Sequence, residues 1–296
     1  MTDLINEARR WYAEELRFTA HVKSQPVIDA FAGVPRERFV GPGPWRIRSP
    51  AWRVENAAQA AGYWTTEDAD PRHVYHDVLI ALDEVRGINN GQPSLWARLF
   101  DWLAIAPGER VLHLGCGTGY YTAIAAELAG CAGRVTAIEI DPQLAAPARE
   151  ALAPWPQASV VNADASTAAL DPADVIIASA GATHPLPAWL DALAPRGRLL
   201  LPMTGAGGWG GMLLITRQPT SGYAARFLRP AGFIDFRGAR DPEIARRLAA
   251  ALLRDRGVPV KSLRRAPEEP DDTCWLAGDG WWLSTAAVET SRQPGA

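Results

Sequence analysis

Val111-Leu112-His113-Leu114-Gly115-Cys116-Gly117-Thr118-Gly119-Tyr120, followed further on by Arg134-Val135-Thr136-Ala137-Ile138-Glu139-Ile140-Asp141, is the stretch that decides the fold. An apolar run breaks into three closely spaced glycines, a helix-length interval follows, and a second apolar run ends in acids. Strand, glycine turn, helix, strand, acid is the order that opens a nucleotide-binding α/β sheet. In such a sheet the turn brings backbone N–H groups close to a ligand and the acid accepts ribose hydroxyls.

The spacing of the glycines says which nucleotide. A dinucleotide site carries G-x-G-x-x-G, its third glycine a turn inside the helix. Here the pattern is G-x-G-x-G, at Gly115, Gly117 and Gly119. This broader turn suits the methionine end of S-adenosylmethionine, whose anionic part is one carboxylate and not a pyrophosphate. A methyltransferase is therefore favoured over a dehydrogenase. A glycine-rich loop that merely turns the chain is the bland alternative, and the flanking strands and Glu139 weigh against it.

Composition sets the outer limits. The 296 residues are 48% hydrophobic and 21% charged, enough for one large core with appendages or for two domains. No apolar run approaches membrane-spanning length, and Met1-Thr2-Asp3-Leu4 lacks a signal peptide's basic and apolar regions, so the expectation is a soluble, cytoplasmic protein. A net charge of -3 with scattered arginines offers no basic stripe, and nucleic acid is not expected as a partner. Cys116, Cys131 and Cys274 fit neither a disulfide framework nor a zinc cluster and are expected to be reduced, buried or inert.

Apolar periodicity places helices over 6–22, from Pro26 to Phe31, and over 94–106, the last packing Leu95, Trp96, Leu99, Phe100 and Leu103 on the sheet. Residues 41–70, rich in Pro, Gly, Trp and Arg, show no period and read as an irregular excursion. Further strands are expected at 159–162, 174–179 and 198–201. An antiparallel pair at 211–216 and 223–228 would close a seven-stranded sheet. Asp141-Pro142 reads as a capped helix start, which leaves Glu139 as the better ribose ligand. An extension follows: a helix from Asp241-Pro242 to about Arg256, then a hairpin turning at Gly278-Asp279-Gly280. The division expected is an N-terminal substrate-side segment (1–90), a nucleotide domain (91–235) and a C-terminal α+β extension (236–296).

Several short motifs then fall in one order. Val27-Ile28-Asp29-Ala30-Phe31 with Val34-Pro35-Arg36-Glu37-Arg38-Phe39-Val40, Tyr75-His76-Asp77, Gly87 to Pro93, Gly119-Tyr120, Asn162-Ala163-Asp164-Ala165 and Ala194 to Pro202 together resemble the protein-L-isoaspartate O-methyltransferases. The likeness runs from about residue 20 to 230. It implies a Rossmann-like class I methyltransferase fold and S-adenosyl-L-methionine as cofactor. It further implies that Gly115, Gly117 and Gly119, flanked by Leu114 and Cys116, hold the methionine portion. Glu139, with Ile140 beside it, would hold the ribose, and Asp164, with Ala165, the adenine amino group.

The departures concern the acceptor. Where the family carries Gly-Gln-Thr-Ile-Ser-x-Pro, this chain has Gly87-Ile88-Asn89-Asn90-Gly91-Gln92-Pro93, and the family's serine falls on Gly91. Asn90, Gln92 and Ser94 are the candidates to meet the acceptor in its place. The alternatives are a turn role for Asn89-Asn90-Gly91 and an N-cap role for Ser94. His113 stands where the family has an acid near the methionine amine, and a neutral imidazole still accepts a hydrogen bond. A third departure is the tryptophan-rich insert with Trp45, Trp52 and Trp64, expected in part to line an acceptor groove. The extension adds Trp275, Trp281 and Trp282 to a total of twelve tryptophans, most of them expected in the core.

A carboxylate acceptor, with a pKa near ~4, is ionised at neutral pH and needs no general base. A hydroxyl or amine acceptor needs one, for which His76, Asp77 and His184 are candidates. His73 and His76 lack the further ligands of a metal site. The first reading is therefore carboxylate O-methylation of a peptide or protein, with the missing serine and added segments favouring a specialised acceptor over general repair. A small-molecule O- or N-methyltransferase is the alternative enzyme, and a non-catalytic binding module the alternative of another class.

Overall fold

Helix α1 (Thr2–Thr19) and helix α2 (Gln25–Gly33) form where apolar residues recur at helical spacing, and each buries one stripe: Tyr12, Ala13 and Leu16 from α1, Val27, Ile28, Ala30 and Phe31 from α2. The structure, a computed structural model, describes residues 2–48 and 62–288. These fall into two units interleaved along the chain, residues 1–109 with 116–162 and residues 110–115 with 163–296.

In the first unit the segment expected to be irregular contains strands. β1 (Arg46–Arg48) pairs antiparallel with β2 (Trp64–Thr65) and with β3 (Leu79–Asp83), which pairs in turn with β4 (Ile88–Asn89). Strands of two or three residues are too short to display alternation, so periodicity passes over them. Trp45 is buried and anchors the insert, donating from Nε1 to Gly41 O at 3.0 Å. Trp64 is exposed, and Trp52 lies outside the described residues. Helix α3 (Pro93–Leu103) buries Trp96, Leu99, Phe100 and Leu103 but leaves Leu95 only partly buried, and it packs on α2 and α1 where the sheet was expected.

β5 (Arg110–Leu114) belongs to the second unit. The chain returns to the first with α4 (Tyr120–Ala129), β6 (Arg134–Glu139), α5 (Pro142–Ala151) and β7 (Ala158–Asn162). Nine of the ten α4 residues are buried, so this helix is apolar all round and carries no amphipathic signal. β6 and β7 run parallel, with Glu139 opposite Asn162. Asp141 caps α5 through Gln143 N–H at 2.8 Å, with Pro142 first in the helix.

The second unit continues with β8 (Ala173–Ala178), α6 (Pro187–Asp191), β9 (Leu193–Thr204), β10 (Trp209–Arg217), β11 (Tyr223–Gly232), α7 (Pro242–Asp255), β12 (Ser262–Arg265), β13 (Cys274–Gly278) and β14 (Trp281–Ser284). β5, β8 and β9 are parallel neighbours, and β9, β10 and β11 are antiparallel. The sheet does not close at the β10–β11 pair as expected. β12 adds to β11, β14 to β12 and β13 to β14, because the extension's apolar strands are buried only by joining an existing edge. The Gly278-Asp279-Gly280 hairpin forms where expected. β9 is longer than the 198–201 expected, since Leu193 lies upstream of the polar Arg196-Gly197-Arg198 that masks the run.

Most described tryptophans are core residues, among them Trp96, Trp155, Trp189, Trp275, Trp281 and Trp282. Trp11, Trp64 and Trp209 are exposed. All three cysteines are free thiols: Cys116 is buried, Cys274 partly so, and Cys131 exposed on a turn. Among the described residues no helix is long and apolar enough to cross a membrane.

Candidate active site

The glycine turn is built of left-handed backbone: φ is +77° at Gly115, +58° at Gly117 and +93° at Gly119. L side chains avoid these angles, which explains the three glycines. They differ in surroundings. A Cβ at Gly115 or Gly117 would meet nothing within 4 Å, so the backbone there borders open space, whereas one at Gly119 would lie 3.0 Å from Leu152 Cδ1. Gly119 serves packing, and Gly115 and Gly117 leave room for a ligand.

Glu139, at the end of β6, is 6% exposed, and its carboxylate is held at both oxygens. Gly117 N–H donates to Oε2 at 2.7 Å and Asp141 N–H donates to Oε1 at 3.0 Å. Burial raises the pKa of this acid, while the two N–H groups oppose that shift. Each oxygen keeps a lone pair for a vicinal diol. The next residue, Ile140, is partly exposed and gives its carbonyl to Asn162 Nδ2 at 3.2 Å. Cys116 is buried against Ala137 and Ala148, and burial pushes its thiol pKa up, so it is an inert packing group.

In the second unit Leu114 is fully buried at the end of β5 and accepts Ser179 N–H at 2.9 Å. His113 is buried beside it, Nε2 lying 2.7 Å from Ser179 Oγ. Desolvation lowers its pKa to about 3, so the ring is neutral. Asp164 Oδ1 accepts from Ser166 N–H (2.8 Å) and Ser166 Oγ (2.6 Å), which fixes the carboxylate. Ala165 is buried, and its carbonyl accepts Trp189 Nε1–H at 2.9 Å.

The Asn89–Ser94 segment, expected to meet the acceptor, is framed by hydrogen bonds. Arg36 is 0% exposed and spends its donors on Asn90 Oδ1 (3.0 Å) and the carbonyls of Val74, His76 and Val78 (2.8–2.9 Å). Its guanidinium lies over the rings of Tyr12 and Tyr120. Asp77 Oδ1 accepts Ser94 N–H at 2.8 Å and Oδ2 accepts Gln92 Nε2 at 3.1 Å; Gln92 Nε2 also donates to Ser94 Oγ at 2.7 Å. Both Gln92 amide protons are therefore engaged. Asn90 retains its Nδ2 protons and Ser94 its hydroxyl proton. Ser94 is not the N-cap of α3: that position is Gln92, which makes no side-chain cap bond, and Asp77 supplies the cap from a distant loop.

Gly91 has φ +76°, and a Cβ there would lie 2.8 Å from Trp96 Nε1 and 3.0 Å from Tyr121 Cε2. A serine at this position, where the resemblance puts the family's, would strain the backbone and crowd the Trp96 and Tyr121 side chains. His73 pairs with Asp68 at 2.9 Å, and among the described residues no group of three metal-ligating side chains exists. In the sequence Arg36 is one residue of the Val34–Val40 motif with no signal of a role. A full set of buried donors aimed at loop carbonyls leaves no trace in periodicity.

A parallel β5–β8–β9 core, a glycine turn after its first strand and a carboxylate closing the next define a Rossmann-like class I methyltransferase. The family model described as protein-L-isoaspartate(D-aspartate) O-methyltransferase matches residues 9–221. The chain belongs to that family and is an S-adenosylmethionine-dependent methyltransferase. A protein-L-isoaspartate O-methyltransferase of Aeropyrum pernix is 33% identical over 206 residues, covering 68% of each chain. One of Ignicoccus hospitalis is 28% identical over 234 residues, covering 78% of this chain and 97% of that protein. Among solved structures, the Plasmodium falciparum homologue in complex with S-adenosyl-L-homocysteine superposes with a TM-score of 0.59 at 16% identity, over 78% of this chain and 98% of that one. Another protein-L-isoaspartate O-methyltransferase structure gives 0.60 at 18%, over 95% and 88%.

Proposed function

We propose that this enzyme methylates the free carboxylate of an L-isoaspartyl or related acidic residue in a peptide or protein. The observation that carries the reading is the donor pair of the Asn89–Ser94 segment. Asn90 Nδ2 and Ser94 Oγ–H are the groups left unspent by a framework that fixes everything around them, and both are neutral donors fit to orient a carboxylate. Asp77, an acid beside them, has one oxygen committed to Ser94 N–H and the other to Gln92, a poor arrangement for a general base.

Bound S-adenosylmethionine would supply an electrophilic methyl on a sulfonium. Glu139 would accept the ribose hydroxyls, and the N–H groups of Cys116, Gly117 and Gly119 would border the methionine end. Ile140 would lie along the adenosine. Asn90 and Ser94 would hold the acceptor carboxylate in line with the methyl, and Gln92 would hold Ser94. Placement and loss of water supply the acceleration, since an ionised carboxylate has no proton to give up.

The crowding a serine would meet at Gly91 favours an acceptor narrower than that of a general repair enzyme. Labelled methyl transfer over isoaspartyl peptides, ordinary acidic peptides and cell extract tests the reading. Label that escapes as methanol in mild alkali is expected, and a base-stable ether or methylamine would contradict it.

A further inference from the structure

In the first unit the hairpin of β3 and β4 leads straight into Asn90. Ala81 lies opposite Asn89 and Asp83 opposite Ile88, so residues 84–87 form the turn and the chain leaves β4 at the start of the Asn89–Ser94 segment. Asn90 N–H donates to Ile80 O at 2.8 Å, which keeps Asn90 on the hairpin's own ladder. Charged side chains hold the turn. Arg46 of β1 grips Glu84 through Nε (2.8 Å) and Nη2 (2.9 Å), and Arg86 takes Asp83 with its backbone N–H (3.0 Å) and Nε (2.5 Å).

Arg86 also reaches out of the hairpin, donating from Nη1 to Asp141 Oδ2 at 2.5 Å. Asp141 stands two residues beyond Glu139. Its N–H holds Glu139 Oε1 at 3.0 Å, and its Oδ1 caps α5 by accepting Gln143 N–H. The guanidinium holds the Asp141 carboxyl below the usual carboxylate range, so both partners are charged. A second tie leaves the segment at Gly91, whose carbonyl accepts Tyr121 Oη–H at 3.1 Å. Tyr121 is the second residue of α4, which begins directly after Gly119. The Asn89–Ser94 segment is thus referenced to the glycine turn at one point and to the acid that ends β6 at another. One tie would leave a pivot, and two remove it.

We propose that Arg86 is a positioning residue: by pairing with Asp141 it sets the spacing of Asn90 and Ser94 from Glu139, and so brings the acceptor carboxylate into line with the methyl. Arg86 precedes Asn90 by four residues, at most roughly 14 Å of chain, so a shift of the turn is carried to the donors. An exposed ion pair adds little to folding stability, which leaves geometry as what this one supplies. The inference rests on the roles proposed above for Glu139, Asn90 and Ser94.

A double-mutant cycle tests it, read as the single-turnover rate of methyl transfer to an isoaspartyl peptide with S-adenosylmethionine and peptide both saturating. Arg86→Gln and Asp141→Asn each remove the ion pair, and asparagine still caps α5, so the fold is kept. Each variant is expected to lower the rate about three- to tenfold, part of what a misplacement near 1 Å can cost. The double variant should fall no further than either alone. KM for the peptide and calorimetric affinity for S-adenosylmethionine should stay within about twofold of wild type. A wild-type rate in either single variant, or losses that multiply in the double variant, overturns the proposal. A weakened affinity for S-adenosylmethionine with an unchanged saturated rate overturns it as well, since the pair would then hold the ligand and not the spacing. Wild-type enzyme that transfers no methyl to the isoaspartyl peptide overturns the carboxylate reading, and the role of Arg86 with it.

Discussion

Gly91 stands where the resemblance puts the family's serine. At φ +76° a side chain costs about 1–2 kcal/mol, and a Cβ 2.8 Å from the Trp96 indole adds overpacking of roughly 1–3 kcal/mol. Gly91→Ser is therefore expected to lower stability by at least about 2 kcal/mol in urea titrations and to leave activity no higher than wild type. Unchanged stability with raised turnover would show that the loop accepts the family's serine. Glu139 gives a second residue-scale expectation. Glu139→Gln keeps the shape but loses the anionic acceptor, so S-adenosylmethionine affinity by calorimetry should fall roughly tenfold or more, the worth of a charge-assisted hydrogen bond. Because burial raises the Glu139 pKa, wild-type affinity should also weaken earlier on acidification than that of an exposed carboxylate site.

Helix α3 shows how an element's start is set from outside itself. Its N-cap residue makes no side-chain bond, and Asp77, fifteen residues before Gln92, receives the Ser94 N–H. Asp77→Ala should cost about 1 kcal/mol of stability as a lost cap and raise the acceptor KM, since Gln92 and Ser94 lose their frame. A KM identical to wild type would place Asn90 and Ser94 outside the acceptor site. The elements legible in the sequence were those with a period or a cap of their own: α1, α3, the Asp141-Pro142 and Asp241-Pro242 helices, and the strands flanking Gly115–Gly119. Those that were not are β1 and β2, two or three residues long, and the edge positions of β12 to β14, which follow from packing on β11 and not from local sequence. The glycine turn and Glu139 were legible because their chemistry is local. The frame around Asn90 was not, because Arg36, Asp77 and Gly91 meet only through the fold.

At the scale of the whole molecule, the extension and one buried histidine carry consequences for stability. Cutting the chain after Gly232 would remove α7 and β12 to β14, bare the edge of β11 and unfasten Gly181 and Thr183. An aggregating product is expected in size-exclusion chromatography, and a folded, fully active monomer would contradict the structural role given to the extension. His113, with a folded pKa near 3 against about 6.5 when unfolded, makes the unfolded state the first to bind a proton as pH falls. Its contribution is complete above pH ~6.5 and declines by up to ~1.4 kcal/mol per pH unit below it. Glu139, with a raised pKa, acts in the opposite direction at lower pH. Urea midpoints at pH 7.5 and pH 5 should therefore differ in favour of pH 7.5, and less so in His113→Asn. On the proposed reading, the framed donors of Asn89–Ser94 hold a carboxylate in line with a methyl donor. Labelled methyl transfer from S-adenosylmethionine to an isoaspartyl peptide and its aspartyl isomer, followed by mild alkali, decides it. Label should enter the isoaspartyl peptide and leave as methanol; label that resists alkali means that the acceptor atom is not a carboxylate oxygen.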